Sequence, residues 1–420
     1  MTNLYLDTAG AAPAPPPLAG DQRADVVVIG AGLTGLSTAL HLAELGTRVV
    51  VLEAQTPGFG ASGRNGGQVN PGLKADPDEV ERRHGPDLGG RMVAFAGAAP
   101  QFVFDLIERL GLRCEARRNG TLRAAVRPKH VALVRATAEQ WQRRGAPVEM
   151  LDAAGIAALT GTPRYGGALF DRRGGDLNPL LYTRGLAEAA VAAGAPVHGG
   201  SRVVELTPGG GLWRAKTPDG SVTAEQVVIA TNGYSDRLWP LLRQSIVPVF
   251  SSIAATEPLP PDLAGTILPG RQVVYESGFV TVYYRVDAAG RLLIGGRGPM
   301  LDVRDPKEIS AIVDYAGRLW PALRPLRWTH GWSGRIAMTA DQYPHLHRPA
   351  AGVTICLGYS GRGVALATAA GAAIARNLVR PDAPLDLPVT KLETIPFHGY
   401  WPLAVPAAVQ IGRLRDFIGI

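Results

Sequence analysis

Cysteine is nearly absent. Cys114 and Cys356 are the only two in 420 residues, and they sit far apart in unlike surroundings, which excludes a disulfide framework and a thiolate metal site. Charged residues amount to 19% and aromatics to 6%, and no low-complexity tract breaks the chain. The excess of 43 Lys and Arg over 36 Asp and Glu, with a pI near 9.6, comes mostly from single arginines. Without a basic run interleaved with aromatics, this is a basic surface and not a nucleic-acid groove. The stretch MTNLYLDTAGAAPAPPPLAG lacks the basic start and apolar run of a secretory signal, and its Ala-Pro character reads as a flexible or extended arm. A reducing, cytoplasmic location is the expectation. Long apolar runs are missing too: the most apolar window, 26–45, is interrupted by Gly30, Gly32 and Gly35 and carries His41 and Glu44, so it is not a membrane helix. No Ser/His/Asp set and no zinc-ligand spacing is present, so the expected metal content is none.

What is there is length and glycine. With 420 residues and 46% hydrophobic composition, the chain is a globular enzyme-sized protein of two domains or one large interleaved pair. Near the start, VVVI (26–29) reads as a buried parallel strand, followed by Gly30-x-Gly32-x-x-Gly35, a helical pattern (Leu36, Ala39, Leu40, Ala43) ended by Gly46, a second strand 49–52, and Glu53. This is a complete βαβ dinucleotide fingerprint. Gly30 makes the tight turn, Gly32 lets the backbone approach a pyrophosphate, and Gly35 lets helix pack on strand. The helix start at Leu33 and Thr34 offers free N–H groups to phosphate, and Glu53, beside Ala54, accepts from ribose hydroxyls. The acid argues against a 2′-phosphate, leaving FAD or NAD. A NAD dehydrogenase would continue with further βα units, whereas here the second strand runs into GASGRNGGQVN (60–70), almost bare of side chains.

The two segments VVVIGAGLTGLSTALHLAELGTRVVVLEA and GASGRNGGQ together resemble the FAD-dependent D-amino acid oxidase and glycine oxidase superfamily, in particular its bacterial γ-glutamylputrescine oxidase-like branch, over about 25–379. The resemblance implies noncovalent FAD, because Ile336 stands where covalent members carry cysteine. It places the bare segment beside the flavin phosphates and ring, where Ala61, Ser62, Arg64, Asn65, Gly66, Gly67 and Gln68 form one wall. Absent Cβ atoms there let backbone N–H groups reach the cofactor. It implies a backbone contact to adenine at Val203, and it puts the turn Ala230-Thr231-Asn232-Gly233 beside the cofactor. It also sets the loop GYSGRG (Gly358, Ser360, Gly361, Gly363, with Val364 after it) at the flavin N1–C2=O edge, where a helix end stabilises developing negative charge.

The expected fold class is α/β, α+β overall: a Rossmann-like FAD-binding domain from 21–74, 176–240 and 330–420, with an interleaved antiparallel-sheet substrate domain from 75–175 and 241–329. A helix opening at Asn178-Pro179 has N-cap and N1 chemistry, and FVTVYYRVDAAGRLLIGGRG (279–298) reads as a hairpin of the second sheet. The substrate then lies between that sheet and the flavin. Flavin amine oxidation needs alignment more than acid–base machinery, so anchors are sought. Arg335 is the first candidate for a carboxylate clamp, one position from where glycine oxidase-like relatives place theirs, with a structural ion pair as the competing reading. Tyr283 shares a strand face with Thr281 and Arg285 and offers a hydroxyl to substrate, with a core tyrosine as the competing reading; Gln68 contacts the ring or the amine; Arg64 supports flavin or its loop. His345 and His347 read equally as loop histidines and as catalytic ones. Leu293 stands where sarcosine oxidase-like relatives carry an oxygen-activating lysine, which leaves O2 or another acceptor open. The expected function is oxidation of the CH–NH bond of an amine or amino acid, with γ-glutamylputrescine-like amines or a cyclic secondary amino acid such as pipecolate as substrates. An NAD-binding dehydrogenase and a non-catalytic flavin-binding protein are the alternatives. The C-terminal 395–420 is expected to pack against the body.

Overall fold

The computed structural model describes residues 3–11, 14–278 and 281–418. Two eight-stranded sheets organise it, joined by a two-stranded ribbon of Gln68–Val69 with Gly175–Asp176. In the first sheet, Gly20–Ile29 lies at the centre. It pairs in parallel with Gly220–Ile229 (Val27 opposite Val227) on one side and with Val49–Leu52 (Val27 opposite Val50) on the other. Val197–His198 and Val353–Leu357 extend it in parallel, and His345–Ala350 closes one edge antiparallel. The strands Val26–Ile29 and Val49–Leu52 are buried throughout, as a doubly covered parallel sheet requires.

The helices Leu33–Glu44 and Gly363–Val379 pack together on this sheet. Their approach is close because the facing residues are small: a Cβ on Gly371 would come within 2.6 Å of the Thr34 carbonyl oxygen, and Ser37 Oγ donates to the Thr368 carbonyl at 2.6 Å. The helix Pro179–Ala192 joins the same layer, its start capped by Asn178, whose side chain accepts from the Leu181 N–H.

The second sheet runs in the order Trp328–Met338, Val247–Pro258, Arg291–Arg297, Tyr283–Val286, Val273–Ser277, Thr121–Ala125, Gly167–Asp171, Val148–Asp152. All its pairs are antiparallel except Val273–Ser277 with Thr121–Ala125. One face carries Leu122, Val274, Tyr284 and Ile294 into an apolar core closed by Ile312, Leu319 and Trp320. The other face turns toward the first module. The hairpin is present around Asp287–Gly290; its first two expected residues, 279 and 280, lie outside the described residues.

Four expectations need correction. The strand Trp328–Met338, expected with the first module, belongs to the second sheet, paired along Val247–Pro258 from Val247 opposite Met338 to Thr256 opposite Trp328; nearness to a cofactor motif does not decide strand pairing. The helix Pro86–Leu110, expected with the substrate domain, buries Met92, Val93, Ala96 and Val103 in the same core as Leu36 and Leu40. The N-terminal arm is not loose in its first turn: Leu4–Thr8 is a helix, capped by Asn3, with Leu4 and Tyr5 buried. The C-terminal helix Trp401–Ile418 does not cover its own apolar positions, since Leu403 and Ile411 are 74% and 60% exposed. Among the described residues no helix is long and apolar enough to cross a membrane, and no cluster of His, Cys, Asp or Glu could hold a metal.

Candidate active site

Between the two sheets lies a cavity of about 660 Å³. One wall is the nucleotide loop. Gly30 (φ 106°) turns the chain out of the central strand, and a Cβ on Gly35 would collide with the Gly30 carbonyl oxygen, so both glycines serve the turn and stand behind the lining. Gly32, Leu33 and Thr34 line the cavity. The helix start has no cap of its own; Ser62 Oγ, from the bare segment, accepts from the Leu33 N–H at 3.0 Å. Glu53 accepts from the N–H of Ala31 at 2.8 Å on one oxygen and of Gln55 at 2.9 Å on the other, which leaves lone pairs for hydroxyl donors. Burial pushes its carboxyl above the usual range, against the pull of those N–H groups. Glu53, Ala54 and Val203 stand away from the cavity lining; Val203 is buried in the apolar layer beneath the first sheet.

The bare segment forms a second wall, with Ala61, Ser62, Arg64, Asn65, Gly66 and Gln68 on the cavity. Its glycines have a cause in packing. A Cβ on Gly66 would lie 2.7 Å from Tyr283 Cε2, and Gly67 (φ 70°) has its back against the Leu177 carbonyl and the Arg285 guanidinium, out of the lining. The polar side chains mostly brace the wall. Asn65 bonds the Ala61 and Ser62 carbonyls and the Gly67 N–H; Arg64 donates to the carbonyls of Phe59 and Ser333; Gln68 Nε2 donates to the Val274 carbonyl at 2.9 Å. Gln68 therefore ties the ribbon to the second sheet with the amide expected to touch ring or amine.

The third wall joins Ala230 and Asn232 to Ser360, Gly361, Gly363 and Val364. Asn232 (φ 44°) and Ser360 (φ 49°) hold left-handed backbone unusual for non-glycine residues, and Asn232 Oδ1 accepts from the Gly358 N–H at 3.0 Å, locking one turn to the other. Thr231, Gly233 and Gly358 sit behind this wall: Thr231 Oγ1 bonds Ser235, Gly233 backs onto the Arg335 carbonyl, and Gly358 (φ 84°) onto Thr339. Tyr359 OH bonds Thr34 Oγ1 at 2.7 Å, joining the starts of the two helices.

The second sheet supplies the remaining wall, and its pleat decides which side chains face inward. Gly334 and Ile336 line the cavity; Arg335, between them, points to the opposite side, where its guanidinium stands 5.4 Å from both the Tyr234 and Phe250 rings. The carboxylate clamp expected at Arg335 is thus on the wrong face. Tyr283 faces the cavity and its hydroxyl shares a hydrogen bond with Ser251 Oγ at 2.8 Å; burial pushes its pKa to about 12, so it stays a neutral hydroxyl. Arg285, on the same strand face, is buried in an ion pair with Asp176. Leu293 packs with Tyr5, Ile253 and Trp332. His345 bonds Asp341, and His347 bonds the Thr390 carbonyl, both away from the lining.

Sequence reasoning missed the cations. Lys74, Arg123, Arg297 and Arg362 line the cavity with Tyr275. Arg362 was legible as the one charge inside a glycine loop; the others sit in segments without a motif and reach the site only through the second sheet and the turn after the ribbon. Lys74 is open to the cavity but ringed by protein, and that enclosure, reinforced by Arg362, Arg297 and Arg123, lowers its pKa to about 8.

The donor set fits FAD. An N–H-rich helix start and glycines too crowded for side chains stand at the place a pyrophosphate needs, with a long cleft between two modules for the ring. Over residues 25–377 the chain matches the FAD dependent oxidoreductase family, DAO. It is 35% identical over 405 residues to the gamma-glutamylputrescine oxidoreductase of Escherichia coli (strain K12), covering 94% of this chain and 93% of that relative. It is 25% identical over 383 residues to the glycine oxidase of Geobacillus kaustophilus (strain HTA426), covering 87% and 95%. The crystal structure of glycine oxidase from Geobacillus kaustophilus shares the fold with a TM-score of 0.74 at 22% identity, covering 89% of this chain and 99% of that one.

Proposed function

Since the chain belongs to the DAO family of FAD-dependent oxidoreductases, whose members act on amines and amino acids, we propose that it oxidises the CH–NH bond of an amine or amino acid, with noncovalently held FAD. FAD so bound would supply the two-electron acceptor for the CH–NH bond of the neutral amine, and the imine product would be open to hydrolysis by water. The nucleotide loop and the bare segment hold the cofactor through backbone N–H groups. Tyr283, fixed by Ser251, is a neutral hydroxyl on the substrate side, and Ile336 and Gly334 leave that face smooth. The observation that carries this reading is the single cavity wall-to-wall between a complete dinucleotide loop and a polar face of the second sheet. Substrates in the class are γ-glutamylputrescine-like amines and secondary amino acids such as pipecolate.

Leu293, sealed in an apolar cluster, favours an electron acceptor other than O2. Anaerobic mixing of the FAD-loaded protein with a panel of amines and amino acids should bleach the flavin with at least one of them. Parallel turnover should reduce an artificial dye faster than it consumes oxygen. Absence of bleaching by every amine and amino acid would overturn the reaction, and oxygen consumption equal to dye reduction would overturn the acceptor.

A further inference from the structure

Arg335 is turned away from the cavity, yet γ-glutamylputrescine-like amines and pipecolate each carry one carboxylate. Enclosing an anion without a partner is costly, so a cation of the lining must meet it. The cavity as a whole does not single out an anion. Glu276 brings a negative charge to it, its Oε1 accepting from Tyr165 at 2.7 Å and Tyr315 at 2.6 Å. Arg123 is paired with Asp76 at 2.7 Å and braced by Ser277 and Thr137. With charges of both signs on the lining, an anion is selected by the place where cations stand without a carboxylate of the protein's own.

One corner meets that condition. Lys74 comes from the turn after the ribbon and Arg362 from the glycine loop before the helix Gly363–Val379, and both line the cavity. Among the described residues, neither has a carboxylate in ion-pair contact. Arg362 donates to the Pro71 carbonyl at 3.2 Å and to the Tyr275 hydroxyl at 3.0 Å, and it lies over the Tyr275 ring. These contacts fix the guanidinium and leave further N–H groups of its fork for a ligand. The Tyr275 oxygen accepts from Arg362, so its own O–H is a donor toward the cavity. Tyr275 stands directly opposite Tyr283 in the register of the second sheet, which makes this corner the cross-strand neighbour of the hydroxyl on the substrate side. Glu276, the next residue along the strand, is anchored on the other pleat by the two tyrosines that hold it.

We infer that Lys74, Arg362 and the Tyr275 hydroxyl form the clamp for the carboxylate of the substrate, the part expected of Arg335. This rests on the amine-oxidation reading and deepens it: good substrates are amines that carry a carboxylate, and the corresponding amines without one are poor. Enclosure, reinforced by the neighbouring arginines, lowers the Lys74 pKa only to about 8, so the residue is a cation at neutral pH.

The test uses the FAD-loaded protein at neutral pH without oxygen and two matched pairs of amines: γ-glutamylputrescine with N-butanoylputrescine, and pipecolate with piperidine. In the pair that reacts, the carboxylated member should bleach the flavin about tenfold or more faster per unit concentration than its partner, the worth of a charge-assisted hydrogen bond. Lys74→Met should abolish that ratio by slowing the carboxylated member alone, and Lys74→Arg should preserve it. Lys129→Met removes a cation at the exposed rim of the cavity and should leave the ratio as it is. Separately, cyclohexanecarboxylate and N-butylglutaramate, which carry the carboxylate but no oxidisable amine, are followed by equilibrium dialysis. At least one should bind, about tenfold more weakly to Lys74→Met. Equal bleaching by both members of a pair, a ratio unchanged in Lys74→Met, or an equal loss in Lys129→Met overturns the clamp. Loss of flavin from Lys74→Met, with both members slowed alike, assigns Lys74 to the cofactor and overturns it too. Bleaching by no amine, with a carboxylate still bound in a Lys74-dependent way, overturns the reaction and leaves the clamp standing; failure of both carboxylates to bind overturns the clamp.

Discussion

Arg335 shows how one residue's position along a strand can mislead about its role. Its neighbours Gly334 and Ile336 touch the cavity, and a shift of one position exchanges faces. Pressed between Tyr234 and Phe250, its guanidinium contributes through two cation–π contacts, and its Nε is buried without a hydrogen-bond partner among the described residues. Arg335→Ala should leave KM for an amine or amino acid substrate unchanged while lowering stability by about 1–2 kcal/mol, at roughly 0.5–1 kcal/mol for each aromatic face. Steady-state kinetics beside thermal melts check this; a steep rise in KM would return the residue to the substrate. The contrast with Arg362 is instructive. Both are single arginines near glycines, but only Arg362 sits on a loop whose backbone opens into the cleft.

At the scale of elements, the strand–loop–helix unit 20–44 was legible because local rules alone dictate it: a doubly buried strand, a turn needing positive φ at Gly30, and a helix that must touch the strand at Gly35. A methyl group added at Gly35 has nowhere to go, since the Gly30 carbonyl oxygen already fills the space. Gly35→Ala should therefore cost about 1–3 kcal/mol as overpacking and strip the protein of FAD. Gly46→Ala is the control. Gly46 also has a left-handed backbone (φ 79°) but faces open space, so that variant bears only backbone strain and should keep its flavin. The ratio of flavin to protein absorbance after desalting separates the two, and equal retention would mean that the close helix–strand contact is dispensable. The second sheet was less legible. Its hairpin follows from alternation and an Asp-x-x-Gly turn, but its strand order, with residues 121–125 set parallel beside 273–277, joins segments about 150 positions apart, and no local pattern specifies that pairing.

At the scale of the molecule, one buried ion pair couples the modules. Arg285, on the second sheet, donates to Asp176 Oδ2 at 2.8 Å in the connecting ribbon, to the Gly66 carbonyl at 2.7 Å in the cofactor wall, and to the Tyr5 hydroxyl at 3.3 Å in the N-terminal helix. Desolvation by burial works against the charge on the guanidinium, but the neighbouring Tyr5 and Asp176 outweigh it and keep the group charged. Breaking such a pair from one side strands the other charge. Arg285→Met should thus destabilise by about 3–5 kcal/mol, and the double variant Arg285→Met with Asp176→Leu should recover part of that. Denaturant titrations followed in parallel by tryptophan fluorescence and flavin release check it; a double variant as unstable as the sum of the singles would deny the coupling. Flavin release that precedes global unfolding in the single variant would show that the pair acts through the Gly66 wall.

The sequence by itself determined the cofactor chemistry, the family, the central parallel strands and the course of the glycine-rich walls. Each rests on contacts within a few residues or on backbone freedom that only glycine supplies. Tertiary structure decided which side of each strand meets the cavity, and with it that Arg335 is turned away while Lys74, Arg123, Arg297 and Arg362 border it. It also decided that the N-terminal arm is bound and that the strand Trp328–Met338 serves the second sheet. The physical reason is the same in each case. A side chain's electrostatic surroundings are set by strands that pair across long stretches of chain, and the parity of one strand against another is specified by the buried faces they share, which no single segment contains.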